Sequence, residues 1–89
     1  EDHENARILA EGLAGIPGID LDPRKVQTNI IIFEISKRGW SASRFVEVLR
    51  KHEVLADDFG LSKVRMVTHK DVSRNDVLRA LDVTRSILR

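Results

Sequence analysis

The stretch KVRMVTHKDVSR, residues 63–74, has the pattern of a β-strand that runs through a short polar turn into a capped helix. Strand side chains alternate between two faces, so Val64, Met66 and Thr68 share one face and Arg65 and Val67 the other. An arginine in a mostly apolar strand needs a partner, because an unpaired buried charge is costly. An internal carboxylate, solvent or a ligand would serve. At the far end, Ser73 is placed to cap the following helix. Asp76, three residues on, can answer it, although Glu or Gln is the usual partner in such a box. Val77, Ala80, Leu81, Thr84 and Leu88 then form the inward stripe of that last helix, and Arg85 and Arg89 suit its negative end.

The strand needs others beside it. QTNIIIFEI, residues 27–35, is the strongest strand pattern in the chain, rich in β-branched residues. Ile31, Phe33 and Ile35 fall on one face, Ile30 and Ile32 on the other. A strand that is apolar on both faces is normally covered on both. Ile19 to Asp22 alternates as a short edge strand would, ended by Pro23. Val54-Leu55-Ala56 has the pattern of a fourth short strand. Asp57-Asp58-Phe59-Gly60 then forms a loop, making 54–69 a hairpin.

Two further helices complete the set. Asp2 can cap one from about His3 to Ala14, with Ala6, Leu9, Ala10 and Leu13 as its stripe and Gly15 as its terminator. Ser41 or Ser43 caps another that runs to about His52, burying Phe45, Val46 and Leu49. The order is α-β-β-α-β-β-α. It predicts an α+β two-layer sandwich: a small, mostly antiparallel sheet with three helices on one face. The other face carries Ile30, Ile32, Val67 and Arg65, an apolar patch of the kind that marks an interface.

Composition limits the functions available. The 89 residues suit one small domain, a size that is only marginally stable alone. The net charge of +1 argues against binding to nucleic acid or an anionic membrane. With no cysteine, a disulfide framework, a thiolate metal site and a cysteine nucleophile are all excluded. That fits a cytoplasmic protein. The longest apolar run, Ile30 to Phe33, is too short to span a bilayer. The chain begins at Glu1 without methionine and almost at once enters a helix, which suggests a piece of something longer.

Few residues point to chemistry. His3, His52 and His69 lie in different elements with no metal-ligand spacing. The letters DFG at 58–60 lack every other kinase feature. Gly12, Gly15 and Gly18 straddle a helix end and do not follow a strand, so they are no phosphate loop. No serine has a nucleophile-elbow context. Lys25, Lys37, Lys51, Lys63 and Lys70 have no apolar setting that would depress an amine. Trp40 sits in a turn as a staple or interface residue. Arg65 remains, as a structural ion pair or as a bidentate receptor for a carboxylate or phosphate.

DHENARILAEGLAGIPGIDLDPRKVQTNIIIFEI followed by VRMVTHKDVSR resembles the C-terminal part of low-specificity L-threonine aldolases, pyridoxal-phosphate lyases of the aspartate-aminotransferase-like fold. The helix opening DHENAR, the strand opening QTN and RMVTHKDVSR carry the likeness together. The stretches Ser36 to Ser43 and Ala56 to Lys63 match poorly. The resemblance implies a single small domain over residues 1–89. It would pack against a large domain of the same chain that binds pyridoxal phosphate, in an enzyme expected to be a homo-oligomer. It also implies cleavage of L-threonine or L-allo-threonine to glycine and acetaldehyde, with Arg65 holding the α-carboxylate of the amino-acid substrate. No catalytic, cofactor-binding or metal residue is assigned within this segment, and the segment alone is expected to be inactive. Thr28 and Asn29 match the family pattern without a ligand role. The alternatives are the small domain of another pyridoxal-phosphate lyase or aminotransferase, and an independent α+β module that binds an amino acid or self-associates.

Overall fold

The computed structural model describes residues 2–26, 29–68 and 72–89, with the side chains of Asp2, His3 and Lys25 left aside. The elements are α1 (Asp2–Ala14), β1 (Ile19–Asp20), a 3-10 turn (Pro23–Lys25), β2 (Ile30–Ile35), α2 (Ala42–Lys51), β3 (Asp57–Phe59), β4 (Lys63–Val67) and α3 (Arg74–Leu88). The strands form one antiparallel sheet in the order β1-β2-β4-β3. This is the α+β order expected from the sequence.

Alternation determines how the sheet is covered. Along β2 the side chains run exposed, buried, exposed, buried, and β4 does the same. Ile31, Phe33, Ile35, Val64 and Met66 enter the core with the helical stripes. The stripes are as spaced in the sequence: Ala6, Leu9, Ala10 and Leu13 from α1, Phe45, Val46 and Leu49 from α2, and Val77, Ala80, Leu81, Thr84 and Leu88 from α3 are all buried. Each large side chain so buried contributes roughly 1.5–3 kcal/mol. All three helices therefore lie on one face. Gly12 lets two of them approach closely, because a Cβ there would stand 2.6 Å from a methyl carbon of Leu81.

The helix ends follow their local chemistry. The Ser41 hydroxyl accepts from the Arg44 N–H at the start of α2. At α3, Ser73 and Asp76 form a complete capping box, with bonds of 3.1 and 2.9 Å. The backbone N–H and hydroxyl of Ser73 hold the Asp76 carboxyl below its ordinary pKa. Gly15 follows α1 as expected, its N–H donating to the Gly12 carbonyl at 3.2 Å. The cap assigned to Asp2 rests on a side chain outside the described residues.

The hairpin differs from expectation. Residues 54–56 are irregular, and the strand is Asp57–Phe59, the segment assigned to a loop. Two local causes act together. Val54 is committed to the end of α2, where its N–H donates to the Leu49 carbonyl and the Glu53 N–H donates to Arg50. The chain then reverses at Gly60, whose φ of +77° suits glycine. This places Asp57 opposite Arg65 and Phe59 opposite Lys63. Cross-strand pairing outweighs the poor strand propensity of aspartate.

Glu53 closes α2 in the left-handed region, with φ of +65°. A non-glycine residue there costs about 1–2 kcal/mol. Glu53→Gly removes that strain and gives up an exposed ion pair to Arg79 at 3.7 Å. The expected result is a gain of roughly 0.5–1 kcal/mol and a melting temperature about 2–8 °C higher. A lower melting temperature would show that the Glu53–Arg79 pair outweighs the backbone strain.

Candidate functional site

Among the described residues, nothing covers the sheet face opposite the helices. Ile30 and Ile32 from β2, Val67 from β4 and Phe59 from β3 stand on it between 42% and 48% exposed. Arg65 occupies the middle of this face. Across β2 it faces Ile32, and across β3 it faces Asp57. Its Nη2 donates to Asp57 Oδ2 at 3.0 Å, with side chains 47% and 69% exposed. Of the three partners that the sequence left open, an internal carboxylate is present, and water reaches both groups. An exposed pair of this kind contributes about 0–1 kcal/mol. Among the described residues Arg65 has no other polar partner, so most of its five donors stay available to a ligand.

The neighbouring charges are already engaged. Glu34 accepts from the Ser62 hydroxyl at 3.1 Å and stands opposite Lys63 in the register. The Lys63 ammonium lies 6.0 Å from the centroid of Phe59. Trp40 lies half-buried at the edge of the core. It meets Phe45 edge to face at 6.4 Å and carries the Arg44 guanidinium at 4.3 Å. His52 ends α2 in solvent, and His69 lies outside the described residues. No cluster of metal-ligating side chains occurs among the described residues.

The short motifs DHENAR, QTN and RMVTHKDVSR are joined by hydrogen bonds. Asn5 of α1 is 4% exposed. Its amide donates to the Val72 carbonyl at 3.1 Å and accepts from Arg74 Nε at 3.2 Å. Thr68, also buried, sends its N–H to the Asn29 carbonyl at 2.9 Å and its hydroxyl to the same oxygen at 3.4 Å. The start of α1, the approach to β2 and both flanks of the β4–α3 connection are thus fixed to one another. Asn5 was missed in the sequence because it looked like one more polar residue of a first turn. Its spacing of four from Leu9 and eight from Leu13 was the available signal.

No protein-family model matches the chain. Among curated proteins, low-specificity L-threonine aldolase 1 of Arabidopsis thaliana is 30% identical over 77 residues, which are 85% of this chain and 22% of the relative. Probable low-specificity L-threonine aldolase 2 of the same plant is 33% identical over 78 residues, 86% of this chain and 22% of the relative. Over most of its length, this chain is similar in sequence to low-specificity L-threonine aldolases. The resemblance carried by the three motifs is borne out. The chain spans only about a fifth of the length of these relatives. Among solved structures, that of MppP soaked with the product 2-ketoarginine matches with a TM-score of 0.75 at 19% identity, covering 96% of this chain and 26% of that one. At that identity the likeness concerns the fold, and the same α+β unit there forms part of a longer chain.

Proposed function

We propose that this segment is the C-terminal small domain of a pyridoxal-phosphate-dependent threonine aldolase, and that Arg65 receives the α-carboxylate of its amino-acid substrate. The lyase would cleave L-threonine or L-allo-threonine to glycine and acetaldehyde. The observation that carries this reading is the placement of Arg65. It stands on the sheet face opposite the helices, in the strand with the family-like motif, held by a single weak partner among the described residues. A guanidinium fork matches a carboxylate in two parallel hydrogen bonds. It can fix the amino acid in one orientation, which is how a binding group assists a reaction at a neighbouring bond.

The described residues do not themselves suit the cofactor. The cleft of about 320 Å³ beside Met66, between the end of α2 and α3, is lined by Glu53 and Asp76 and by Arg79, which already pairs with Glu53. Two carboxylates disfavour a phosphate, and among the described residues no lysine amine lines the cleft to bond the aldehyde. The cofactor therefore belongs to the remainder of a longer protein, and no step through it is assigned to this segment. That remainder would be the large domain, seated on the uncovered face. The four apolar side chains there give it a surface to bury, and the relatives' greater length supplies the extra chain. No helix among the described residues is long and apolar enough to cross a membrane. We place the enzyme in the cytoplasm, which the absence of cysteine favours.

The test is an assay of the full-length protein carrying this segment. Supplied with pyridoxal phosphate and L-threonine, it is expected to release glycine and acetaldehyde in equal amounts. The 89-residue segment alone is expected to release neither. Cofactor binding without cleavage would favour another lyase or an aminotransferase of the same fold. A complete protein with no cofactor-binding domain would favour an independent module.

A further inference from the structure

We infer that Asp57 is a resident carboxylate for Arg65, occupying the guanidinium at rest and giving way to the carboxylate of an incoming amino acid. This rests on the reading of Arg65 given above and adds a second residue that sets how strongly the site binds.

The pair is built into the backbone. Asp57 and Arg65 are direct partners in the β3–β4 register, so the carboxylate is delivered to the arginine by strand pairing. On its other side, Arg65 stands opposite the apolar Ile32 in the register. The next carboxylate on the face, Glu34, is engaged by Ser62. Asp57 is thus the single carboxylate paired with Arg65 among the described residues. The stretch from Ala56 to Lys63 lies outside the motifs that carry the resemblance to the aldolases.

The same geometry makes the pair easy to open. It consists of one Nη2–Oδ2 bond of 3.0 Å between two well-exposed groups. Exposed pairs are weak and exchange with water. A free carboxylate that engages the fork through two bonds is the stronger partner. Until it arrives, the negative charge of Asp57 offsets the positive charge that would attract it. Substrate must then compete with an internal anion, which raises the concentration needed to fill the site.

Two substitutions separate this role from one of simply orienting the arginine. Asp57→Asn keeps an acceptor oxygen at the same position and removes the charge, whereas Asp57→Ala removes both. In the full-length protein supplied with pyridoxal phosphate, Asp57→Asn is expected to lower KM for L-threonine about two- to fivefold, from the range of exposed ion pairs. The inhibition constant of glycine should fall by a similar factor. Asp57→Ala should also lower KM. An unchanged KM in Asp57→Asn with a raised KM in Asp57→Ala would overturn the inference, because Asp57 would then only position the arginine. Arg65→Lys is measured alongside. If it is impaired while Asp57→Asn matches the parent, the role of Asp57 fails and that of Arg65 stands. If Arg65→Lys is unimpaired, both fall.

Discussion

Arg65→Ala in the full-length protein is expected to lower kcat/KM for L-threonine by about one to two decades. A hydrogen bond to a charged group contributes about 1.5–3 kcal/mol, and about 1.4 kcal/mol corresponds to a decade in rate. Arg65→Lys retains a charge but loses the planar fork, so it should also be impaired, with less loss than alanine. Neither change should unfold the domain. In the segment by itself Arg65 is 47% exposed and its partner Asp57 69%, so there removing the guanidinium leaves a carboxylate that water can solvate. Melting temperatures within a few degrees of the parent would show that a kinetic loss arises at the site. Kinetics unchanged in both variants would remove Arg65 from substrate binding. An equal loss for L-threonine and for an amino alcohol lacking the carboxylate would point the same way, since that compound has nothing for the fork to hold.

The position of Arg65 was legible in the sequence, whereas its partner was not. Strict alternation along 30–35 and 63–67 assigns every side chain to a face, and a helical stripe that buries one face leaves the other open. Ser73 with Asp76 likewise declares a helix start from residue types alone. The partner depends on register, and register depends on where the hairpin turns. Val54-Leu55-Ala56 is the more strand-like triplet by composition, yet Val54 is taken up by the end of α2 and Leu55 stands 79% exposed. Composition carries no trace of such a competition between two neighbouring elements. The turn at Gly60 then selects Asp57, and a reversal one residue later would have presented Asp58. Asn5 was hidden for a related reason. Its spacing on the α1 stripe signals burial, but its bonds reach Val72 and Arg74, on the far side of the sequence, and nothing local to α1 names those partners.

The largest expected loss of stability follows from Phe45→Ala. Phe45 is fully buried on the inner side of α2. Its ring meets Phe33 of β2 edge to face at 6.0 Å and Trp40 at 6.4 Å. Truncating a buried phenylalanine costs about 3–5 kcal/mol, partly through lost transfer energy and partly through the cavity left behind. A domain of this length has only about 5–13 kcal/mol to lose, at roughly 0.05–0.15 kcal/mol per residue. The substitution should therefore lower the melting temperature by about 12–40 °C, at about 4–8 °C per kcal/mol. Phe45→Leu, which fills much of the space, should lose far less. A drop of under about 5 °C for alanine would mean that Trp40 and Phe33 close over the gap, and that this part of the core is looser than its edge-to-face contacts imply. The effect should extend to the opposite face. Phe33 pairs with Val64, the residue before Arg65, and its neighbour Ile32 pairs with Arg65 itself. The inner ring cluster thus supports the two strands that hold the guanidinium in place, and in the full-length protein Phe45→Ala should raise KM for L-threonine at temperatures where the domain is still mostly folded.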